Sequence, residues 1–170
     1  MHVILTGFAL MKNNFFSKNL SGKGMKFALI VSRFNEQVTK GLERDARRAL
    51  EEAGVAEEDI VVYYVPGAFE IPFTAATVVE KRAVDAVICL GAIIRGETPH
   101  FEYISRAVSS GIMELNLRAH KPVVFGVLTT DTLEQADARS GQGSDNKGYE
   151  AGMAAVEMVT LMKNLNSKLF

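Results

Sequence analysis

The sequence contains very little cysteine and histidine, and this scarcity excludes several kinds of site. Cys89 is the single cysteine among 170 residues, so no disulfide can form within the chain. Its position in an apolar run predicts a small buried side chain rather than a catalytic thiol. His2, His100 and His120 are scattered and lack the spacing of zinc ligands, so we expect no metal site.

An excess of charge of either sign is also missing. The formal net charge is −1 at pH 7, so nothing indicates a general affinity for nucleic acid or for an anionic membrane surface. The apolar start of the chain, residues 1–11, is too short to span a bilayer and lacks the basic region and cleavage motif of a signal peptide. We therefore expect neither a nucleic-acid nor a membrane partner, and a cytoplasmic location by default.

The glycine motifs of nucleotide-binding proteins are absent as well. No GxGxxG follows the first predicted strand, and the P-loop order GxxxxGK[ST] does not occur. We therefore exclude binding of dinucleotides and nucleoside triphosphates. The glycine-rich segment 138–148 predicts a connection between helices with solvated charges. This interpretation leaves open whether Arg139, with its planar guanidinium, pairs with a phosphate.

Apolar, β-rich runs alternate with amphipathic segments along most of the chain. Strands are predicted at 26–32, 59–65, 85–94 and 121–129, and helices at 36–54, 70–82, 99–120, 132–140 and 147–165. The strands are continuous apolar runs, which is typical of a parallel sheet covered on both faces. The pattern predicts a single α/β domain over residues 1–170, a three-layer α/β/α sandwich with a four-stranded, flavodoxin-like parallel sheet. Residues 26–165 would form its core, and 1–25 an N-terminal arm or strand that is available to pair with a neighbouring subunit.

Two helices carry local signals that fix their ends or faces. In helix 36–54 one face is apolar, and Gly54 is well placed to end the helix in a left-handed conformation. The residues of that face are Leu42, Ala46, Ala49 and Leu50. For helix 132–140, Asp131 and Glu134 match a capping box, so Asp131 is the predicted N-cap.

The segments that leave the carboxyl ends of the strands are rich in functional residue types. In open α/β sheets, ligands bind beyond those ends. The four segments are 32–36, 66–72, 91–100 and 125–132. Together they hold aromatics, glycines, hydroxyls, a histidine and charges, and this concentration predicts a pocket at one edge of the sheet.

His100 follows a helix-start signal in the third of these segments. Thr98 suits the N-cap and Pro99 the first helical position, which places His100 in the first turn. The N-terminus of a helix attracts anions such as phosphate, and its field disfavours imidazolium, leaving a neutral imidazole able to accept a proton. The alternative is that His100 contacts only solvent or packs on Phe101.

Two aromatic residues and one carboxylate in the other segments also have alternative interpretations. Phe34 and Phe69 lie in predicted loops and suit stacking on a flat heterocycle, but either ring equally suits a lid over the core. Glu70 suits bonding to ligand hydroxyls, or it caps the N-terminus of its own helix.

The same segments, taken in order, resemble the lumazine synthase family. The matching stretches are "SRFN", "VPGAFEIP", "LGAIIRGETPHFEY", "KPVVFGVLTTDTLEQA" and "NKGYEA", within residues 26–165. The resemblance implies condensation of 5-amino-6-(D-ribitylamino)uracil with 3,4-dihydroxy-2-butanone 4-phosphate. The product is 6,7-dimethyl-8-ribityllumazine, with release of phosphate and water, in the penultimate step of riboflavin biosynthesis. No metal or organic cofactor is implied.

The resemblance also assigns roles to individual residues. His100 would transfer protons, and Phe34 would stack on the pyrimidine. The uracil site would further include Ala68, Phe69, Glu70, Ala92, Ile93, Ile94 and Phe125, and the phosphate site Glu97, Thr98, Arg139 and Lys147. Phe125 and Arg139 would come from the neighbouring subunit, so the active sites would lie between subunits.

At two positions the sequence departs from the family pattern. Pro99 stands where many members have a second threonine, and it supplies neither a hydroxyl nor an N–H to a phosphate. Gly143 stands where many members have a lysine, so that charge is absent.

The resemblance further implies a pentamer, and in many members a hollow icosahedral shell of pentamers with a possible association with riboflavin synthase. The short 139–148 linker and the absence of proline from residues 1–31 favour the shell. Two other functions remain open on this fold. One is the archaeal-type riboflavin synthase, which dismutates lumazine, and the other is a non-catalytic flavin-binding or shell protein.

Overall fold

The computed structural model describes residues 20–142 and 145–167. The described elements are β1 (Phe27–Ser32), α1 (Glu36–Glu52), β2 (Ile60–Val65), α2 (Ile71–Lys81), β3 (Ala86–Ile94), α3 (His100–Arg118), β4 (Val123–Thr130), α4 (Leu133–Ser140) and α5 (Lys147–Ser167), with 3-10 turns at Glu57–Asp59 and Ala68–Glu70. Each predicted strand and helix is confirmed to within two residues at either end. Most of the predicted N-terminal arm, and Gly143, lie outside the described residues.

The four strands form one parallel sheet in the order β2–β1–β3–β4. Every residue of the central strand β1 is buried, and so is every residue of β3 except the last. Continuous burial is the reason these strands are apolar throughout, because helices cover both faces of the sheet. The predicted four-stranded, flavodoxin-like parallel sheet is confirmed.

Side chains of alternating residues along β1 enter two separate hydrophobic clusters, one on each face of the sheet. Phe27, Leu29 and Val31 pack with buried residues of α1 and α5. Ala28 and Ile30 pack with buried residues of α2 and α3. The molecule therefore has three layers, as predicted, with the sheet between two layers of helices.

Helix α1 shows how local sequence sets an element. The four residues of its predicted apolar face are fully buried. At its end Gly54 has φ 87°, its N–H donates to the carbonyl of Glu51, and the N–H of Val55 donates to the carbonyl of Leu50. This pair of bonds is the Schellman motif, in which glycine adopts the left-handed conformation at little cost.

The N-cap of α4 differs from the prediction. The cap is Thr132, whose side chain accepts a hydrogen bond from the N–H of Gln135. Asp131, the predicted cap, instead accepts a 2.6 Å bond from Arg95, so its carboxylate is directed away from the helix. The partner that redirects Asp131 lies 36 residues away in the sequence, where no local pattern reveals it.

Cys89 is fully buried at the centre of β3. Burial raises the pKa of its thiol to about 12, because the thiolate would lose its hydration. The side chain is therefore a neutral thiol at physiological pH, which confirms the prediction of a small buried apolar residue.

Within the described ranges, none of the helices combines the length and the hydropathy that a passage through a bilayer requires.

Candidate active site

A cleft of about 350 Å³ lies at the carboxyl ends of β1, β2 and β3, against the start of α3. We call it the strand-end cleft. It is lined by Phe34, Asn35, Gly67, Ala68, Phe69, Ala92, Ile93, Ile94, Gly96, Thr98, His100, Phe101 and Ile104. Three of the four predicted strand-end segments therefore meet at one cavity.

The turn after β1 presents Phe34 from a fixed backbone. Asn35 has φ 59°, a left-handed conformation that asparagine tolerates better than most residues. Its side-chain amide donates a 2.9 Å bond to the carbonyl of Ala92, which anchors the turn to β3. The Phe34 ring is 69% exposed, so it does not act as a lid over the core.

The turn after β2 is held by its own carboxylate. Glu70 accepts a 2.9 Å hydrogen bond from the N–H of Gly67, which caps the short helix that follows. This is the capping alternative from the sequence, and Glu70 is not among the residues that line the cleft. The capping bond uses one carboxylate oxygen, so the other is chemically able to accept from a ligand hydroxyl. The adjacent Phe69 ring is 58% exposed and lines the cleft, so it too does not cover the core.

The end of β3 overhangs its neighbour β1. The register of β3 with β1 runs only to Leu90, whereas its register with β4 runs to Ile94. Backbone groups alternate between the two sides of a strand, and the N–H of Arg95 donates toward β4, to Thr130. The backbone N–H and C=O of Ile94 therefore point toward the β1 side, where the cleft lies.

Helix α3 begins at His100, one residue later than predicted. Pro99 flanks the helix, and its carbonyl accepts from the N–H of Glu102 at 3.1 Å and of Tyr103 at 3.5 Å. Because Pro99 supplies these first acceptors, it occupies the N-cap position, and Thr98 lies one residue outside the helix. No side chain caps this terminus within the described residues. The predictions that Thr98 is the N-cap and Pro99 the first helical residue are therefore wrong.

The helix start nevertheless faces the cleft as predicted. Thr98 and His100 both line it and are exposed. Glu97 is exposed as well, but it lies beside the cleft rather than in its lining. The first N–H groups of a helix have no acceptor within the helix, so this end of α3 suits an anionic group in the cleft.

Arg95 holds this helix start in place, a role that the sequence reading missed. Its guanidinium donates to Asp131 at 2.6 Å and to Glu102, and lies 4.3 Å above the centre of the Phe101 ring. These contacts connect the end of β4 to the first turn of α3. The bond to Asp131 and then that to Glu102 raise the pKa of Arg95, and the bond from Arg95 lowers the pKa of Glu102. The signal available in the sequence was the arginine inside "IRGETPH" itself.

A second cleft, of about 390 Å³, runs along β4. We call it the edge cleft, because β4 is one of the two edge strands of the sheet. It is lined by residues 124–129 of β4 and by Arg139, Lys147, Glu150, Ala151 and Ala154. Phe125 lies in it and is 45% exposed. The two clefts share no lining residue.

The two cations of the edge cleft have different partners. Arg139, at the end of α4, donates a 2.9 Å bond to the neutral carbonyl of Gln135. Lys147, at the start of α5, donates to both carboxylate oxygens of Glu150 at 2.7 Å. Arg139 therefore bonds a neutral carbonyl and has further N–H groups that can donate to an anion. The charge of Lys147, in contrast, is balanced by the Glu150 carboxylate.

The predicted site residues divide between the clefts. The strand-end cleft contains Phe34, Ala68, Phe69, Ala92, Ile93, Ile94, Thr98 and His100, and Glu70 and Glu97 adjoin it in sequence. The edge cleft contains Phe125, Arg139 and Lys147. The 138–148 segment joins α4 to α5, which confirms the predicted helix–helix connection.

Comparison with known protein families gives one match that covers both clefts. The model of a family described as 6,7-dimethyl-8-ribityllumazine synthase matches residues 24–163. This range contains all four strands and every predicted site residue.

Proposed function

Because the chain belongs to the 6,7-dimethyl-8-ribityllumazine synthase family, transferases of riboflavin biosynthesis, we propose that it condenses 5-amino-6-(D-ribitylamino)uracil with 3,4-dihydroxy-2-butanone 4-phosphate. The observation that carries the assignment to a site is the strand-end cleft. It brings two exposed aromatic rings, a histidine and the start of a helix around one cavity. This cavity therefore has suitable contacts for a flat ring, for a polyol and for a phosphate.

The uracil substrate would occupy the part of the strand-end cleft that is nearest the sheet. Phe34 would stack on the pyrimidine, because its exposed ring is held by a fixed turn. The overhanging end of β3 would bond the ring edge through its backbone, with Ile94 best oriented and Ala92 and Ile93 as walls. Ala68 and Phe69 would line the ribityl chain, and the second oxygen of Glu70 would accept from its hydroxyls.

The phosphate of the second substrate would lie at the start of α3, beside Glu97 and Thr98. Pro99 offers this phosphate neither a hydroxyl nor an N–H, so the contacts must come from the residues around it. Arg139 and Lys147 would supply positive charge, and Phe125 a ring contact, from the edge cleft of a neighbouring subunit. The separation of the two clefts on one chain supports this arrangement, because neither cleft alone holds every residue type that the reaction needs.

The proposed chemistry has four steps. The 5-amino group attacks the butanone carbonyl, and loss of water gives an imine. Removal of a proton next to the imine then breaks the carbon–oxygen bond to phosphate, which leaves as inorganic phosphate. The resulting enol takes up a proton to become a ketone. The ribitylamino nitrogen attacks that ketone, and loss of a second water closes the ring.

His100 would move the protons in this sequence. General acid–base catalysis by a positioned side chain contributes roughly 10²–10⁴-fold. The remainder of the acceleration would come from holding two reactants in the correct orientation, which does not require a metal or an organic cofactor.

The assembly we propose is a pentamer, packed further into an icosahedral shell, in the cytoplasm. Several large apolar side chains outside both clefts are exposed on one chain, including Phe73 at 78% and Leu117 at 81%. Apolar exposure of this extent supports contact between copies. Light scattering on the purified protein distinguishes a monomer, a pentamer and a shell by mass. Association with riboflavin synthase is tested by co-purification.

An assay with both substrates tests the proposed reaction. We expect lumazine absorbance to appear only when both are present, together with inorganic phosphate in equal amount. Formation of riboflavin from lumazine alone would instead identify a riboflavin synthase. Flavin binding without turnover would identify a non-catalytic binding protein.

A further inference from the structure

Asn146 is a buried polar residue between the two cations of the edge cleft. Its side chain is 2% exposed. It lies immediately before Lys147, the first residue of α5, and α4 ends at Ser140, one residue after Arg139. A residue in this position can influence where both cations lie.

The side-chain amide of Asn146 bonds to the ends of both helices at once. Its NH₂ group lies 2.7 Å from the carbonyl oxygens of Ser140 and Gly141, at the end of α4. Its oxygen accepts from the N–H of Gly148 at 2.7 Å, and from that of Tyr149 at 3.4 Å, in the first turn of α5. Because the carbonyls at the end of α4 accept from the NH₂ group and the N–H groups of α5 donate to the oxygen, the orientation of the amide is fixed.

The same amide is anchored to helix α1. Its NH₂ group lies 2.7 Å from the carboxylate of Asp45 and 3.2 Å from the carbonyl of Gly41. Asp45 is 3% exposed, and its charge is balanced by 2.7 Å bonds from Arg44 and Arg48. A buried carboxylate depends on its partners, so loss of any of these bonds is unfavourable and Asp45 holds the amide in one place.

Two glycines bring the helix ends directly onto the backbone of α1. A Cβ atom on Gly41 would lie 2.3 Å from the carbonyl oxygen of Ser140. A Cβ atom on Gly148 would lie 2.0 Å from the carbonyl oxygen of Leu42. The end of α4 and the start of α5 therefore rest on α1 without intervening side chains, and Asn146 joins the three.

We propose that Asn146 is a positioning residue for the phosphate end of the site, setting the separation and orientation of Arg139 and Lys147. The ligand that it serves is the phosphate monoester of the butanone substrate. This inference rests on the proposed function. Asn146 itself touches no substrate. It holds the two helix ends at one spacing, so that Arg139 and Lys147 are already in place when a phosphate binds.

The informative variant is Asn146→Asp. It keeps the shape and the oxygen that caps α5, but it replaces the NH₂ donor with an oxygen that faces the Asp45 carboxylate and three carbonyls. Asn116→Ala is the matched control, because the Asn116 amide also bonds a backbone N–H and C=O, both of Val123. Asn116 lies near the amino end of β4, away from the two cations.

We expect Asn146→Asp to raise both the KM for butanone phosphate and the Kd for inorganic phosphate about tenfold, since displacements near 1 Å suffice for such losses. The KM for ribitylaminouracil should stay within about twofold of wild type, because Phe34 and the end of β3 are untouched. Asn116→Ala should lower Tm while leaving both phosphate constants unchanged. Calorimetry with inorganic phosphate and steady-state kinetics on the assembled protein provide these values.

Arg139→Ala separates failure of this inference from failure of the proposed function. If Arg139→Ala leaves phosphate binding unchanged, the proposed phosphate site is wrong. If Arg139→Ala weakens phosphate binding but Asn146→Asp changes only Tm, as the control does, Asn146 is merely structural and the inference is overturned. Combining the two substitutions should cost less than the product of their separate effects, because both act on the same contact.

Asn146→Ser makes the same comparison if Asn146→Asp does not fold. Serine keeps an oxygen that can accept from the N–H of Gly148, and it removes the amide donors to Ser140, Gly141 and Asp45. The expected result is the same selective loss of phosphate affinity. An equal rise in the KM of both substrates would contradict the positioning role.

Discussion

In the strand-end cleft the site residues lie on turns and strand ends of the sheet, whereas in the edge cleft the two cations lie at the ends of helices. Phe34 and Ile94 are placed by turns and strand ends that belong to the sheet. Arg139 and Lys147 are placed by helix ends that Asn146 joins. One chain can therefore place a site for a flat ring on its sheet and a separate anion site at its helix ends.

This difference predicts that substitutions in the two clefts have separable effects. Substitution of His100 in the strand-end cleft should alter proton transfer, and substitution of Phe34 should alter the binding of the uracil. Changes at the edge cleft should alter the binding of phosphate.

His100→Ala should lower kcat by roughly 10²–10⁴-fold, because the site loses its proton-transfer group but keeps both substrates in place. The Kd for inorganic phosphate should change little. The measurement is steady-state kinetics with phosphate calorimetry, and His120→Ala, at an exposed position after α3, is the control. An unchanged kcat would rule out the proton-transfer role.

Mixed assemblies of His100→Ala and Arg139→Ala chains should regain activity that neither variant has alone. If each site takes His100 from one subunit and Arg139 from its neighbour in a ring, roughly a quarter of the sites in a 1:1 mixture are intact. Co-expression with two different tags, followed by double affinity purification and assay, measures this recovery. Activity no higher than the average of the two parents would show that both residues serve the site from the same chain.

Phe34→Ala should raise the KM for ribitylaminouracil about tenfold, since loss of an aromatic stacking partner costs about 1–3 kcal/mol per base. Phe34→Tyr keeps a ring of similar size and should recover most of the affinity. Neither substitution should change the Kd for inorganic phosphate by more than about twofold, because the proposed phosphate contacts, the start of α3 with Arg139 and Lys147, do not include the Phe34 ring. Parallel loss of uracil and phosphate binding would contradict the division between the clefts.

Glu102→Gln should produce the smallest effect, a weaker dependence of Tm on pH in acid. Arg95 lowers the pKa of Glu102 in the folded chain, so its ionised form stabilises the fold above the ordinary carboxyl pKa of about 4.3. That contribution is lost as the pH falls through the lowered pKa. Thermal unfolding between pH 7 and pH 3 measures the change.

The matched control for this substitution is Glu114→Gln, which removes an exposed carboxylate paired with Arg118 on the same helix. If Glu102→Gln and Glu114→Gln gave the same Tm profile against pH, the Arg95 contact would contribute nothing specific to the start of α3.

Most of the fold follows from short-range patterns that are visible in the chain. The apolar runs of β1 and β3, the face of α1 and the glycine that ends α1 each depend on residues within a few positions of one another. Such features are set by alternation, helical periodicity and backbone conformation, so they can be read without knowing the fold. The strand-end rule then placed His100, Phe34 and Phe69 at one edge of the sheet before their contacts were known.

The remaining features depend on partners that are distant in sequence. Asp131 does not cap α4, because Arg95 binds it. Asn146 is buried against Asp45 and Gly41, which lie more than one hundred positions earlier in the sequence. The division of the predicted residues between two clefts likewise arose only once the sheet order was set. Local patterns in the sequence therefore define the helices, the strands and the residue types of the site. The packing of α1, α4 and α5 defines where Arg139 and Lys147 lie. Sequence alone does not reveal this packing, because hydrogen bonds between distant residues produce no periodic pattern.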